Sequence, residues 1–338
     1  MKLSKKIARK IVFPALMAVR TDRLIRLFSK KKILNVMYHG VVEEDSNYFS
    51  PRHLWKEQFE QHLKYLKANF DVISDEEAFR RVAAKETLKR HTITITFDDG
   101  FLNNLRTALP LIEKYQIPVT LFVSSLCAID DNAKCLWADY IAAINHFYPS
   151  EVVEIAGFKF VNGFDSKKNQ SISDFIKLSS CHDRDRIMTD LINKYDLDEK
   201  LKTLPTEVWK LMSRDELSSF AKSKYVNIGT HGHNHYNLGS IKPEEAKQDL
   251  ERSLELLNEL IPEGIDSIAY PDGSYSDEVK QIAQELGIKR QFAVNYKNES
   301  DLSDPRIMNR HGVSSRTTLE SSMLFLNLAI RKKGVKLN

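Results

Sequence analysis

Along most of this chain, short apolar runs alternate with segments in which apolar residues recur every three or four positions. The runs predict β-strands, and the recurrences predict helices. The predicted strands lie at 33–38, 70–73, 91–97, 119–123, 225–228, 267–270 and 291–294, and the predicted helices lie at 53–69, 102–115, 243–260 and 276–286. Ser74 is predicted to cap a further helix that begins at Asp75. Alternation of strands and helices favours parallel strands and an α/β fold.

Residues 128–212 interrupt this alternation. Two apolar runs, 152–155 and 158–161, flank Ala156-Gly157 and predict a β-hairpin. Polar helical segments with runs of Asp and Lys follow. We interpret the whole stretch as an insertion on one loop of the α/β fold and not as a second catalytic domain.

Charge is distributed unevenly along the sequence. The chain has 338 residues, and its hydrophobic fraction of 42% is enough for a substantial core. Charged residues make up a further 28% of the chain. Its net charge is +4, yet residues 1–32 contain eleven Lys or Arg and one acid, Asp22, so the remainder carries about −6. A mildly acidic body with a basic N-terminal segment does not fit a nucleic-acid-binding protein, and we expect no nucleic-acid partner.

The basic segment 1–32 admits three interpretations. Its apolar run, 11–19, is too short to span a bilayer and fits a short signal core, but no clear cleavage site follows. The next residues are again cationic and apolar, so a segment lying on an anionic membrane surface accounts for both halves. A signal or short anchor and an ordinary helix packed on the body are the alternatives.

Three cysteines, Cys127, Cys135 and Cys181, form an odd set with no Cys-x-x-Cys spacing. We interpret them as reduced thiols. The expected location is therefore cytoplasmic, with membrane association through residues 1–32. Anchoring or export through the same segment is the alternative.

Two adjacent carboxylates end the apolar strand predicted at 91–97. Asp98 and Asp99 would repel each other at a poorly solvated strand tip, and Gly100 permits a sharp turn after them. A divalent cation beside them removes that cost. One aspartate can then bind the metal while the other handles a proton.

Three histidines, His231, His233 and His235, follow the strand predicted at 225–228 and a turn at Gly229-Thr230. Imidazoles at i and i+4 face the same way on a helical turn, which is a common metal-ligand spacing. Imidazoles at i and i+2 would do so on a strand, so the sequence leaves His233 open as a ligand.

Asp99, His231 and His235 would offer one oxygen and two nitrogen ligands, with positions open for water and substrate. Such a metal polarises a carbonyl and lowers the pKa of a bound water to about 7. Asp98 is placed to take that water's proton. A third segment, Tyr270-Pro271-Asp272-Gly273, predicts a tight turn after a strand, whose backbone N–H groups can point into a site.

Together these segments resemble the polysaccharide deacetylases, which are carbohydrate esterase family four or NodB-like homology domains. The sequence 96–100, Thr-Phe-Asp-Asp-Gly, matches that family's first motif, the His231 and His235 pair matches the second, and 270–273 resembles the third. Flanking segments at 37–41, 108–111 and 118–122 agree with the family as well. The similarity covers roughly residues 33–315.

The resemblance implies a distorted (β/α) barrel with fewer than eight repeats, which hydrolyses the N-acetyl group of a hexosamine in an N-acetylated glycan. In this interpretation the barrel occupies 33–318 and carries the insertion 128–212. The basic amphipathic segment 1–32 precedes it, and a C-terminal helix or tail, 319–338, follows it.

Carried over residue by residue, the resemblance makes Asp98 the general base. It assigns Asp99, His231 and His235 to one divalent metal ion, most often zinc. The backbone N–H of Asp272 corresponds to the family's oxyanion donor, although a carboxylate there would oppose a developing oxyanion unless it turns away.

Two further departures from the family pattern concern the histidines. Gly232 stands where the family usually has Ser or Thr, so a hydroxyl that helps to orient the loop is missing. The general acid is expected to be a His after a Leu on a late strand, and only Arg310-His311 occurs near the C-terminus. His39, at the tip of the first predicted strand, is the better candidate for the acid, and His311 is the alternative.

Four other residues receive weaker assignments. Trp137 resembles a family contact at the barrel rim, with packing as its alternative role, and Tyr275 is a candidate for stacking on a sugar ring. Arg310 is a candidate for holding the catalytic base by a charge-assisted hydrogen bond. Tyr270 belongs to the turn expected to contact substrate.

The sequence thus predicts a metal-dependent N-deacetylase acting on an amino sugar in a polysaccharide, lipid-linked glycan or glycolipid. Two alternatives stay open at this point. One is hydrolysis of another non-peptide C–N bond, in a formamide or a cyclic amide. The other is an inactive barrel that only binds glycans.

Overall fold

A computed structural model describes residues 11–44, 49–132 and 134–331. The strands are Ile33–Tyr38 (β1), Gly40–Val42 (β2), His53–Trp55 (β3), Asp71–Val72 (β4), Thr92–Asp99 (β5), Val119–Val123 (β6), Val152–Ile155 (β7), Phe158–Val161 (β8), Phe164–Asp165 (β9), Gln170–Ser171 (β10), Val226–Thr230 (β11), Ser267–Ala269 (β12), Arg290–Ala293 (β13) and Ile307–Gly312 (β14).

Helices surround these strands. They are Phe13–Ala18 (α1), Thr21–Leu27 (α2), Lys56–Asn69 (α3), Asp75–Ala83 (α4), Leu109–Tyr115 (α5), Trp137–Phe147 (α6), Ile172–Leu178 (α7), Cys181–Tyr195 (α8), Leu197–Lys202 (α9), Arg214–Ala221 (α10), Pro243–Asn258 (α11), Asp277–Glu285 (α12) and Leu319–Arg331 (α13).

Seven parallel strands close into a barrel in the order β1-β14-β13-β12-β11-β6-β5, and β5 pairs back onto β1. The short β4 extends one edge by pairing with β5. Closure removes the unpaired edges that an open sheet would expose. The predicted distorted (β/α) barrel with fewer than eight repeats is therefore confirmed.

The two faces of β5 explain why its sequence alternates. Thr94 and Thr96 face the barrel interior, where their hydroxyls donate to Asn35 Oδ1 at 2.7 Å and to the Val36 carbonyl at 3.2 Å. Phe97 faces the surrounding helices and packs edge-on against Phe59 of α3, with ring centroids 5.6 Å apart. The interior of this barrel is thus partly polar, while the main apolar core lies between the strands and the helices.

Several predicted boundaries were wrong by a few residues. The strand predicted at 91–97 continues through Asp99, and the strand predicted at 225–228 continues to Thr230, so Gly229-Thr230 is strand and not turn. The helix predicted at 53–69 begins only at Lys56, after β3. The helix predicted at 102–115 is a π-helical turn at Asn104–Ala108 followed by α5.

The insertion forms a small lobe with a core of its own. Strands β7 to β10 make an antiparallel sheet, in which Glu154 pairs with Lys159 across the predicted hairpin. Ala156 and Gly157 both have positive φ, as a two-residue hairpin loop requires. Helices α6 to α9 cover this sheet, and α7 brings the lobe to the carboxyl ends of the barrel strands.

Helices α1 and α2 pack beside α13, next to the barrel. Residues 1–10 of the basic segment and 332–338 of the predicted tail lie outside the described residues. Among the residues that the structure describes, no helix combines the length and the apolar character that crossing a membrane requires.

Candidate active site

Asp98 and Asp99 reach the same side of the barrel because the backbone changes conformation between them. Asp98 follows Thr94 and Thr96 on the inward face of β5. Asp99 would then point outward, but its φ of +80° turns the chain, and Gly100 follows with a φ of +93°. Two successive carboxylates, 2% and 1% exposed, thereby line one cavity at the carboxyl end of the strand.

The histidine segment after β11 is an irregular loop, so the suggested helical turn was wrong. Gly232 has a φ of +74° and His235 a φ of +53°, and these two positions bend the loop so that both rings face the aspartates. His233 points elsewhere, since its Nδ1 lies 2.9 Å from the Ser125 hydroxyl. The structure therefore excludes His233 from the group that converges.

Asp99, His231 and His235 offer three ligand atoms within 4.8 Å of one another, and all three residues are buried. Asp99 Oδ1 lies 3.6 Å from His231 Nε2 and 3.3 Å from His235 Nε2. It is a buried carboxylate oxygen that accepts no hydrogen bond from the described residues. A divalent cation held by one oxygen and two imidazole nitrogens fits this arrangement.

The protonation of Asp99 and His231 also fits a metal site. Burial lowers the pKa of His231 to about 4, so its ring is neutral at pH 7. His231 Nδ1 lies 2.6 Å from the Ala269 carbonyl, which fixes the tautomer that leaves Nε2 free to bind a cation. Burial raises the pKa of Asp99, but His235, His39 and Arg52 outweigh this, so the net pKa is lowered and the carboxylate is ionised.

Asp98 is held by Arg310, a residue of β14. Arg310 Nη1 donates to Asp98 Oδ1 at 2.5 Å, and Nη2 donates to Oδ2 at 2.8 Å. Burial raises the pKa of Asp98, yet the charge and hydrogen bonds of Arg310 oppose this, and the net pKa lies below the usual range. An ionised carboxylate 3.9 Å from His231 Nε2 is placed to act as a base.

His39 lies just after β1 and lines the same cavity. Its Nδ1 is buried and has no hydrogen-bond partner within the described chain, while its backbone carbonyl accepts from Asn104 Nδ2 at 2.9 Å. Burial lowers the pKa of the ring, against the opposing effect of Asp99 and Asp98. His311, the alternative candidate for the acid, is not among the residues that line the cavity.

The third turn lines the same cavity as Asp99, His231 and His235. Asp272 has a φ of +56°, and its carboxylate forms an ion pair with Lys177 of α7, in the inserted lobe. The ammonium group of Lys177 thus neutralises the Asp272 carboxylate, whose presence beside the expected oxyanion donor the sequence did not explain. Tyr270 lines the cavity as well, with its hydroxyl donating to Gln291 Oε1 at 2.8 Å.

The two aromatic candidates have different positions. Trp137 lines the cavity, and its buried Nε1 has no hydrogen-bond partner within the described residues. Tyr275 does not line it: the ring is 4% exposed and stacks on Tyr270, and the hydroxyl donates to Asp301 at 2.6 Å. The suggestion that Tyr275 stacks on a sugar ring was wrong, because no open face of the ring remains.

Two residues that the sequence did not reveal support the histidine loop. Asp249 of α11 accepts from the backbone N–H of His233 at 2.8 Å and of Asn234 at 3.0 Å. A Cβ added at Gly232 would lie 2.7 Å from Asp249 Oδ2, so glycine makes room for this carboxylate. Arg184 of α8 donates to the carbonyls of His235 and Asn234 at 3.1 and 2.8 Å. These contacts hold the histidine loop in place although position 232 carries no hydroxyl.

Arg52 is a further unforeseen residue at the site. Its Nη1 donates to Asp99 Oδ2 at 3.3 Å, and its Nη2 forms a short ion pair with the fully buried Asp139 of α6. The guanidinium also lies 5.1 Å above the ring of Phe101. Arg52 therefore orients the oxygen of Asp99 that faces away from the two imidazoles.

Together these groups surround a cavity of about 310 Å³. It holds a buried base, a group able to bind a cation, a histidine with a free ring nitrogen and a turn with Asp272 at its tip. This combination suits hydrolysis of an amide or ester by an activated water.

Comparisons with known proteins agree with this geometry. The family model described as polysaccharide deacetylase matches residues 85–157 and 182–290. The Bacillus subtilis (strain 168) protein named "Putative polysaccharide deacetylase YxkH" is 28% identical over 104 residues, which are 30% of this chain and 36% of that protein. The match therefore spans about a third of that relative's length.

Solved structures show the same fold. The Streptococcus pyogenes deacetylase PplD, in complex with acetate, is 16% identical, with a TM-score of 0.56 over 88% of this chain and 99% of that one. IcaB from Ammonifex degensii is 15% identical, with a TM-score of 0.56 over 88% and 98%. A de-N-acetylase from Aggregatibacter actinomycetemcomitans is 17% identical, with a TM-score of 0.55 over 87% and 99%.

Proposed function

The chain belongs to the polysaccharide deacetylase family, and we propose that it is a metal-dependent N-deacetylase of an acetylated amino sugar in a glycan. The observation that carries this proposal is the convergence of Asp99, His231 and His235 beside Asp98. These residues come from two distant segments of the chain, and the fold brings their side chains to one cavity.

In the proposed reaction, Asp99, His231 and His235 would hold a divalent cation, with zinc as our proposal for its identity. Such a cation supplies Lewis acidity toward the acetamide carbonyl and the attacking water. Asp98 takes the proton of that water, and Arg310 keeps Asp98 ionised and oriented. In this division of work, Oδ1 of Asp99 faces the two imidazoles, whereas both carboxylate oxygens of Asp98 are bound by the guanidinium of Arg310.

The remaining steps use other residues that line the cavity. We assign the developing negative charge on the acetamide oxygen to the backbone N–H of Asp272, with Lys177 neutralising the carboxylate of the same residue. His39 would give a proton to the departing sugar amine through its free ring nitrogen. The products are acetate and an amino sugar. Trp137, at the rim, would contact the sugar.

The test is acetate release from a panel of N-acetylated oligosaccharides and lipid-linked glycans, with and without a chelator. We expect acetate from at least one glycan, loss of activity on chelation and recovery on adding zinc. Asp98→Asn should abolish turnover, whereas Asp190→Asn, a change at an exposed aspartate on α8, should not. Release of formate or ring opening of a cyclic amide in place of acetate, or glycan binding without turnover, would overturn the proposal.

A further inference from the structure

Helix α2 buries two charged residues together with Ile25, and it exposes two leucines beside Arg23. Asp22 and Arg26 face the protein and are 1% and 8% exposed, whereas Leu24 and Leu27 face outward and are 54% and 66% exposed. Phe28, immediately after the helix, is 83% exposed. A helix on the surface of a protein normally directs its apolar residues to the core and its charged residues to water.

A buried hydrogen-bond network fixes this orientation. Arg26 Nη1 donates to Asp22 Oδ2 at 2.9 Å and to Asn327 Oδ1 of α13 at 2.7 Å, and Nη2 donates to Asn69 Oδ1 of α3 at 2.7 Å. Tyr65 joins the network by donating to Asp22 at 2.5 Å. Turning Leu24 and Leu27 inward would break these contacts and expose the network, so the outward position of both leucines is specified by the fold.

The apolar surface continues onto the neighbouring helices. On α13 the exposed positions are Phe325, Leu328 and Arg331, which follow one another at helical spacing and form a stripe. Phe325 meets Phe13 of α1 edge-on, with ring centroids 5.2 Å apart. We call the exposed apolar residues of these three helices and their ends the terminal face: Ile11, Val12, Val19, Leu24, Leu27, Phe28, Phe325 and Leu328.

Positive charge surrounds the terminal face. Arg20, Arg23, Lys30 and Arg331 are exposed beside it. Outside the described residues, the sequence segments 1–10 and 332–338 contain eight further cations, at positions 2, 5, 6, 9, 10, 332, 333 and 336. Acidic residues are few: within 1–32 and 319–338 the sequence has Asp22, which is buried against Arg26, and Glu320.

We propose that the terminal face docks onto an anionic lipid surface. Exposed Leu, Phe and Val side chains can enter the region between headgroups and acyl chains, while Lys and Arg at the rim attract anionic headgroups. The combination of an apolar centre with a cationic rim is what distinguishes this surface from an ordinary protein interface, whose rim has no reason to carry one sign of charge.

Docking at this face leaves the catalytic cavity open. Helix α2 meets the barrel at the amino end of β5, where His91 Nε2 lies 3.0 Å from the Arg26 carbonyl. The cavity lies at the carboxyl end of β5. The eight residues of this strand separate the cavity from the contact with α2 by roughly 23 Å. Lipid binding and glycan hydrolysis are therefore separable, and each can be tested without the other.

The test measures binding of the full chain to vesicles by flotation. We expect binding to vesicles that contain phosphatidylglycerol and little binding to vesicles of phosphatidylcholine alone. Binding should weaken when salt is raised to about 1 M, where the Debye length falls to about 3 Å. The double variant Leu27→Asp/Phe28→Asp should weaken binding by roughly tenfold or more, because it places two charges at the centre of the apolar surface.

Leu178→Asp is the matched control. Leu178 is 70% exposed, close to the 66% of Leu27, but it lies on α7 in the inserted lobe. This variant should bind vesicles like the unchanged protein. Near-ultraviolet circular dichroism of all variants reports whether the fold is retained.

Two results would overturn the docking proposal. One is that the unchanged protein and the double variant bind vesicles to the same extent, which includes the case in which neither binds. The other is a dimer in sedimentation velocity that the double variant dissociates without any effect of lipid, because the terminal face would then be covered by a second copy. Absence of acetate release would leave vesicle binding untouched, so failure of the proposed activity is distinguishable from failure of this inference.

Discussion

The guanidinium of Arg310 binds both carboxylate oxygens of Asp98, and the arginine is one of the largest fully buried side chains in the barrel. It also donates to the hydroxyl of Thr96 at 3.2 Å, one inward position before Asp98 on β5. A paired geometry of this kind fixes both the charge and the direction of a carboxylate. The proposed base is therefore held in a state that can accept a proton.

Replacing Arg310 should lower kcat because it removes the hydrogen bonds that hold Asp98, the proposed base. Arg310→Lys keeps one charge but cannot make two parallel hydrogen bonds, so kcat should fall roughly tenfold, and Arg310→Met should cost roughly a hundredfold or more. Without the guanidinium the pKa of Asp98 rises, so the acidic limb of kcat/KM moves to higher pH. The measurement is a pH profile of acetate release for each variant.

The exposed Arg316 provides the control for this series. Arg316→Met should leave both kcat and the pH profile unchanged. A normal kcat in Arg310→Met, with the fold intact by circular dichroism, would contradict the assignment of Asp98 as a base that depends on Arg310.

The ion pair between Lys177 and Asp272 predicts a rescue experiment. Lys177→Met leaves an uncompensated carboxylate beside the proposed oxyanion, and kcat should fall roughly tenfold because like charges oppose each other there. Adding Asp272→Asn removes that carboxylate and keeps the backbone N–H, so the double variant should recover most of the lost kcat. Lys167→Met, at an exposed lysine of the same lobe, is the control. Additive losses in the double variant would show that the pair acts only on the packing of the lobe.

Metal binding should depend on Asp99 and not on His233. Titration with zinc should give one bound ion for each chain. Asp99→Asn should weaken binding severely, because it removes the anionic ligand between the two imidazoles. His233→Ala changes the same loop at a ring that contacts Ser125, so it should bind zinc like the unchanged protein. A zinc-dependent rise in thermal stability, about 2.7 kcal/mol at a hundredfold excess over Kd, provides a second readout.

A reversed order of effects, with His233→Ala abolishing binding and Asp99→Asn tolerated, would place the ion elsewhere in the loop. If zinc binds but acetate release does not change, the metal has no role in the reaction.

His39 should affect turnover more than binding. His39→Ala removes the proposed proton donor, so kcat should fall by roughly a hundredfold with little change in KM. His311→Ala changes the rejected alternative, which lies outside the cavity, and should have no comparable effect. Steady-state kinetics on one glycan distinguishes them, and an unchanged kcat for His39→Ala would exclude it as the acid.

The candidate metal-ligand group could be predicted because the adjacent aspartates Asp98 and Asp99 and the closely spaced histidines are visible in the sequence without any knowledge of packing. The strands before both segments were found from their apolar runs. The exact conformation was not, since the positive φ of Asp99 and His235 has no signal of its own in residues other than glycine.

The supporting residues were missed for a different reason. Arg184, Asp249 and Arg52 lie on helices or loops remote in sequence, and they contact the site only after the inserted lobe and α11 have packed. Strand β14 was missed because Asn309, Arg310 and His311 interrupt its apolar pattern. In β14 these polar residues stand in the middle of the strand and break the apolar alternation by which strands are recognised.

A buried histidine outside the cavity should make the fold sensitive to acid. His62 of α3 is fully buried, with Nδ1 3.3 Å from the Tyr38 hydroxyl, and burial lowers its pKa to about 3. Between pH 6.5 and pH 3 the unfolded chain binds a proton at this ring and the folded chain does not. Stability is therefore complete above pH 6.5 and is lost progressively as the pH falls through that window.

Urea denaturation at pH 7 and pH 4.5 measures this contribution. One such histidine should account for about 2–3 kcal/mol of the difference in unfolding free energy between the two pH values. His62→Leu removes the titrating ring and should reduce that difference by this amount, even if the variant is less stable at pH 7 because it repacks imperfectly. His182→Leu, at an exposed position on α8, is the control and should leave the difference unchanged. An equal loss of stability on acidification in both variants would show that the proton taken up on unfolding binds elsewhere.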